Sequence, residues 1–138
     1  MSGMKKILIA AAIVPVIGAA LYAWHRGYSA SESKPHGTVA VTITLTDNGY
    51  VPSEVTIKKG EAVRWVNDSN YEMWPASAVH PTHSLYPEKS PTDCLGSSFD
   101  ACARIPKGGS WEFTFENVGS WKFHDHVRPS KTGVVNVQ

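Results

Sequence analysis

The amino-acid sequence predicts an all-β sandwich or barrel carried behind a single N-terminal membrane-spanning helix. Three observations predict it. An unbroken apolar run, "ILIAAAIVPVIGAALYAW", fills Ile7 to Trp24 directly after Lys5 and Lys6. From Thr38 onward, short segments rich in Val, Ile, Thr and Trp alternate with turn residues. No segment after residue 38 carries a 3.6-residue apolar period. The whole chain has 138 residues and a formal net charge of +1, with Lys and Arg scattered. That excludes the basic footprint and like-charge tails that nucleic acid would select.

As a helix, Ile7–Trp24 rises roughly 27 Å at about 1.5 Å per residue, close to the hydrocarbon thickness of a bilayer. Pro15 and Gly18 suit a membrane helix better than a soluble one, and Tyr22 and Trp24 stand where interfacial aromatics belong. The two lysines hold the N-terminus in the cytoplasm and send the rest across; Arg26 on the far flank weakens that bias. The alternative, a cleaved signal peptide, finds only Leu21 and Ala23 as a poor small-x-small site. Residues 1–24 are therefore expected to be a membrane anchor (or signal peptide), single-pass in the cell membrane. The domain would then face the periplasm or the extracellular medium. Residues 25–37, "HRGYSASESKPHG", read as a flexible linker in which His25 and His36 are solvated. The folded domain spans 38–138.

Within it, "TVAVTITLTD" alternates as a strand and "DNGY" turns the chain. "EVTIKKGEAVRWVND" gives two strands about a Lys-Gly turn, with Val55, Ile57, Val63 and Trp65 in phase. "SWEFTFENVGSWKFHDH" gives two more about Asn117–Gly119, and "GVVNV" closes the chain. Between them, Met73 to Ile105 reads as an excursion without strands, because Pro75, Pro81, Pro87 and Pro91 bar a central strand. Excursions of that length inside a small domain are usually functional.

The excursion holds both cysteines and two histidines. Cys94 and Cys102 share one loop on the oxidising side of the membrane, which favours a disulfide over a metal thiolate. "HPTH" sets His80 and His83 across a Pro-led turn. His124 and His126 flank one residue in a strand, and residues i and i+2 project from one face. Two adjacent imidazoles either bury unpaired nitrogens or repel when protonated, and a metal ion removes both problems. Nitrogen-rich sites take Cu(II) most tightly of the divalent series. The candidate ligands are His80, His83, His124 and His126, with Met73 as a weak soft ligand or ordinary packing. Asp125 is expected to point away from its neighbours, in a supporting or surface role. Glu88 lies within reach without being required.

"GYVPSEVTIKKGEAVRWVNDS" resembles the front half of a cupredoxin, the small copper-binding Greek-key β-sandwich of plastocyanins and azurins. The tail "GSWKFHDHVRPSKTGVVNV" resembles that family's last hairpin, where the metal loop lies between two strands. The resemblance brackets nearly all of 38–138 and implies a Greek-key β-sandwich with one copper ion cycling between Cu(II) and Cu(I). It departs from the blue-copper pattern: no Cys occurs between Gly119 and Gly133, no Met follows in "VRPSKTG", and Met73 falls near the place of the first family His. Only the location of the site carries over. The chain resembles a branch of the family without the ligand Cys.

The expected function is extracytoplasmic, membrane-anchored copper binding at a His-rich, non-blue site, for copper handling or electron transfer. The expected partners are the membrane, through the helix, and a redox or copper-transfer protein. No nucleic acid is expected, and no enzyme activity. Two alternatives stand beside this. One is a single-copper redox enzyme, since "WKFHDH" is similar to the His-x-His strands of multicopper oxidases, although one pair without a feeding thiolate is not a complete oxidase. The other is a structural sandwich without metal, against which four domain histidines argue.

Overall fold

A computed structural model describes residues 37–138. Residues 1–24, the expected anchor, and the linker as far as residue 36 lie outside the described residues. Among the described residues no helix is long and apolar enough to cross a membrane.

Eight strands carry the alternating sequence: β1 (Val39–Thr46), β2 (Gly49–Val51), β3 (Glu54–Ile57), β4 (Ala62–Asn67), β5 (Pro75–Ser77), β6 (Ser110–Thr114), β7 (Gly119–Asp125) and β8 (Thr132–Val137). They form two four-stranded sheets, in the orders β2-β1-β4-β6 and β3-β8-β7-β5. β1 runs parallel to β4, and β3 parallel to β8; the other pairings are antiparallel. The expected all-β sandwich is the observed architecture.

One face of each sheet is apolar because the sequence alternates with period two. Ile43 and Leu45 of β1, Val63 and Trp65 of β4, Val55 and Ile57 of β3, and Val135 and Val137 of β8 are all buried between the sheets. Trp65 joins the layers: its ring lies 5.2 Å from Trp111 in its own sheet and meets Phe123 of the other edge-on at 5.6 Å.

The excursion is not free of strands. Pro75–Ser77 forms β5, paired with β7 through Pro75↔Asp125, Ala76↔His124 and Ser77↔Phe123. A proline fits there because β5 is an edge strand and Pro75 is its first residue, where its missing N–H costs no ladder bond. The excursion also fills the core. Tyr86 and Phe99 are fully buried, and the Tyr86 hydroxyl accepts hydrogen bonds from the Glu116 amide (3.1 Å) and Asn117 Nδ2 (3.0 Å).

Candidate metal centre

Strand phase decides where the histidines stand. Along β7, Phe123 enters the core and Trp121 packs against it, so Ser120, Lys122 and His124 project from the opposite, outer face. His124 would be exposed there had the chain not folded back over it. After β5 the backbone turns: the Ala78 amide donates to Lys122 O (2.9 Å), the His83 amide to Val79 O (2.7 Å) and the Leu85 amide to Ala78 O (2.6 Å). That turn carries His80 and His83 over the strand. His126 follows the end of β7 and is held by its amide donating to Trp74 O at 2.7 Å.

The four rings form a puckered square. Each loop histidine neighbours both strand histidines, with centroids 5.2 Å (His80–His124), 4.9 Å (His80–His126), 4.8 Å (His83–His124) and 4.7 Å (His83–His126) apart. The diagonals, His80–His83 and His124–His126, are 6.2 and 6.3 Å. One ring nitrogen from each lies within 4.8 Å of all the others. His80 Nδ1 stands 3.3 Å from His124 Nε2, and His83 Nε2 stands 2.8 Å from His126 Nδ1. Nitrogens bound at 2.0–2.1 Å to one ion stand about 2.9 Å apart at square-planar corners and about 3.4 Å apart in a tetrahedron. The donor set fits a single N-ligated transition-metal ion.

His83 is fixed from behind. Its Nδ1 donates to Asp100 Oδ2 at 2.5 Å, and both side chains are fully buried. With its proton on Nδ1, His83 turns the lone pair of Nε2 inward, the tautomer that a metal ligand needs. Asp100 Oδ1 accepts from Trp74 Nε1 (2.7 Å) and from the Cys102 amide (2.8 Å). Trp74 in turn packs on His126, its centroid 4.5 Å from the imidazole. Neither Asp100 nor Trp74 was legible as a site residue, because "SSFDACARI" and "EMWPAS" carry no ligand spacing or period that singles them out.

Asp125 takes the supporting one of its two expected roles. It does point away from His124 and His126, but that direction is the core, and the side chain is wholly buried rather than on the surface. Its Oδ2 accepts from Tyr50 Oη (2.9 Å) and the Trp74 amide (2.8 Å), and its Oδ1 from the Arg128 amide (2.9 Å). Burial, then the adjacent carboxylate, holds the Tyr50 phenol far above its usual range, so it stays a donor. Asp125 thereby anchors the segments on both sides of the histidine pair.

His124 and His126 are held toward their neutral forms. Burial, then charge on His83, His80 and His126, pushes His124 down to about 4. Burial, then His83 and His80, lowers His126 as well. Neutral imidazoles keep the lone pairs that a metal requires. His124 is only 3 % exposed, and its Nδ1 finds no hydrogen-bond partner. Such a nitrogen is costly to bury unless the ring gains something at its other end.

Of the remaining candidates, Met73 lies in the apolar core, its backbone paired with Ile105. Cys94 and Cys102 are joined as a disulfide. Glu88 uses its backbone carbonyl to accept from the Ser98 amide at 2.9 Å.

No family model matches the chain, and no curated protein does. Solved structures do. A purple cupredoxin from Nitrosopumilus maritimus superposes with a TM-score of 0.57 at 20% identity, over 71% of this chain and 99% of that one. A mutant of amicyanin in its Cu(I) form gives a TM-score of 0.57 at 17% identity, over 72% and 82%. A Cu-containing nitrite reductase from Thermus scotoductus gives 0.52 at 16% identity, over 71% of this chain but 22% of that one. The fold is that of the cupredoxins, and it carries a histidine cluster where no cysteine ligand pattern exists.

Proposed function

We propose that this chain is a cupredoxin-like protein that binds one copper ion through His80, His83, His124 and His126, without a thiolate. The observation that carries the reading is the ring of four imidazoles, two from a strand and its extension and two from a loop, with nitrogens at ligand spacing. Copper held there would supply one-electron chemistry between Cu(II) and Cu(I). The residues do the rest: Asp100 sets the His83 tautomer, Trp74 and Asp125 fix the approach of His126, and the folded-back loop keeps His83 and His124 from water. An all-imidazole set favours Cu(II), which gives copper handling weight beside electron transfer. The apolar run Ile7–Trp24 supports attachment to a membrane, with the domain outside the cytoplasm and a redox or copper-transfer protein as partner.

One observation favours the single-copper redox enzyme as a second reading. A cleft of about 480 Å³ on the outer face is lined by His80 and His124 together with Val79, Lys122, Thr132 and Pro129. It would bring small molecules to one side of the centre.

The test is to load the full chain with Cu(II) and record visible and electron-paramagnetic-resonance spectra. The expected result is one copper per chain, hyperfine structure from nitrogen ligands and no intense sulfur-to-copper band. A strong thiolate band, or no stoichiometric uptake, would refute the reading.

A further inference from the structure

The disulfide-closed loop, residues 94–102, bears on His83 at two points. Asp100 receives the Nδ1 proton of His83 and is itself braced by the Cys102 amide. Gly96 packs directly on the turn that carries His83. A Cβ there would overlap Thr82 O and stand 2.8 Å from both the carbonyl carbon and oxygen of His83, so only glycine allows the approach. His83 holds a left-handed backbone, with φ of 52°, a conformation that costs a residue bearing a side chain some free energy. Its amide donates to Val79 O within the turn, and its carbonyl is the side of the turn on which Gly96 of the loop packs.

We propose that the Cys94–Cys102 loop is the positioning device of His83, and that the copper affinity of the histidine centre is set by whether the disulfide is closed. This rests on the reading of that centre as a copper site. Both cysteines are exposed, so a reductant reaches the sulfurs without unfolding the domain. A dithiol reductant supplies two electrons and two protons: the protein S–S bond breaks, two S–H groups form, and the reductant's own thiols close into a disulfide. Opening the loop restores the chain entropy that the bridge had removed. Gly96 and Asp100 then lose their tether, the left-handed turn relaxes and His83 leaves its place, while His124 stays fixed on β7. Loss of the groups that orient a ligand typically lowers metal affinity about 10–100-fold.

The test compares copper affinity by chelator competition in the full chain with the disulfide closed, opened by a phosphine (which leaves as its oxide, with oxygen from water), and absent in the Cys94→Ser, Cys102→Ser variant. Cu(I) serves in every arm, so that closed and opened forms are compared at one oxidation state. The expected result is a loss of about 10–100-fold on opening, with the sandwich retained by circular dichroism. His83→Ala should bind more weakly than wild type and lose most of the dependence on the disulfide, keeping only what Asp100 passes to His126 through Trp74, a result that general loosening would not give. Gly96→Ala, which keeps the disulfide but forces the loop off the turn, should reproduce the loss and so covers the case in which opening unfolds the domain. Equal affinity in open and closed wild type, or wild-type affinity in Gly96→Ala, would overturn the proposal. So would an extra equivalent of Cu(I) on the freed thiols with the histidine centre undiminished. If the closed wild type takes up no copper, the copper reading itself fails, and this proposal with it.

Discussion

His83 and Asp100, both fully buried and seventeen residues apart, meet through a single charge-assisted hydrogen bond from Nδ1 to Oδ2 at 2.5 Å. The bond fixes which nitrogen of His83 faces the other three histidines. Asp100→Asn keeps the volume but removes the negative charge and can present an amide donor to Nδ1. The expected outcome is a copper affinity about 10–100-fold lower with little change in unfolding midpoint, read by chelator competition and denaturant melts.

The four histidines should not count equally. His83 and His124 are buried, His126 is half-buried and braced by Trp74, and His80 is exposed on the turn. Preorganised ligands lose less freedom on binding. Single alanine variants at 83, 124 and 126 should each weaken copper binding at least about tenfold more than His80→Ala. Equal losses at all four positions would contradict the geometry.

The metal-free protein should lose stability as pH falls from about 6.5 toward about 4. His124 is pushed down to about 4 and His126 is lowered in the same direction, whereas unfolded histidines titrate near 6.5. Above that value both states are neutral and these groups contribute no slope. Below it the unfolded chain takes up protons that the folded one refuses, so folding weakens, and for His124 the loss is complete below about 4. Unfolding midpoints at pH 7 and pH 4.5 check this. His124→Gln should show a smaller drop than wild type, which separates the histidine contribution from that of the carboxylates.

Asp125→Ala should destabilise the domain by about 3–5 kcal/mol, because three donors lose a charged acceptor in a dry interior. Those donors are Tyr50 Oη and the amides of Trp74 and Arg128. Denaturant unfolding of the metal-free protein measures the loss directly, and a change under about 1 kcal/mol would show that water replaces the carboxylate.

The full chain should sediment with membranes and come off with detergent rather than salt, as expected of the apolar run Ile7–Trp24 if it spans a bilayer. Recovery of a soluble form beginning near residue 24 would show cleavage instead.

The two-residue period of "VTITL", "EVTI", "VRW" and "GVVNV" was enough to place most of the strands and much of the core, because alternation is a local property of extended backbone. The same rule put His124 and His126 on one side of the chain and Asp125 on the other. It did not say which side would be covered. Trp121 and Phe123 set the inward phase of β7, so the carboxylate went into the core and the imidazoles faced out, to be buried by a turn from elsewhere. β5 was hidden by Pro75, whose exclusion from strands lapses at a sheet edge, and edge position is a property of the assembled sheet. Asp100 lay in a segment without period, 24 residues before His124, and became part of the site only when the disulfide loop packed on His83. Local pattern determined which residues share a face. Only long-range packing, which brings together groups distant in sequence, decided what each face would meet.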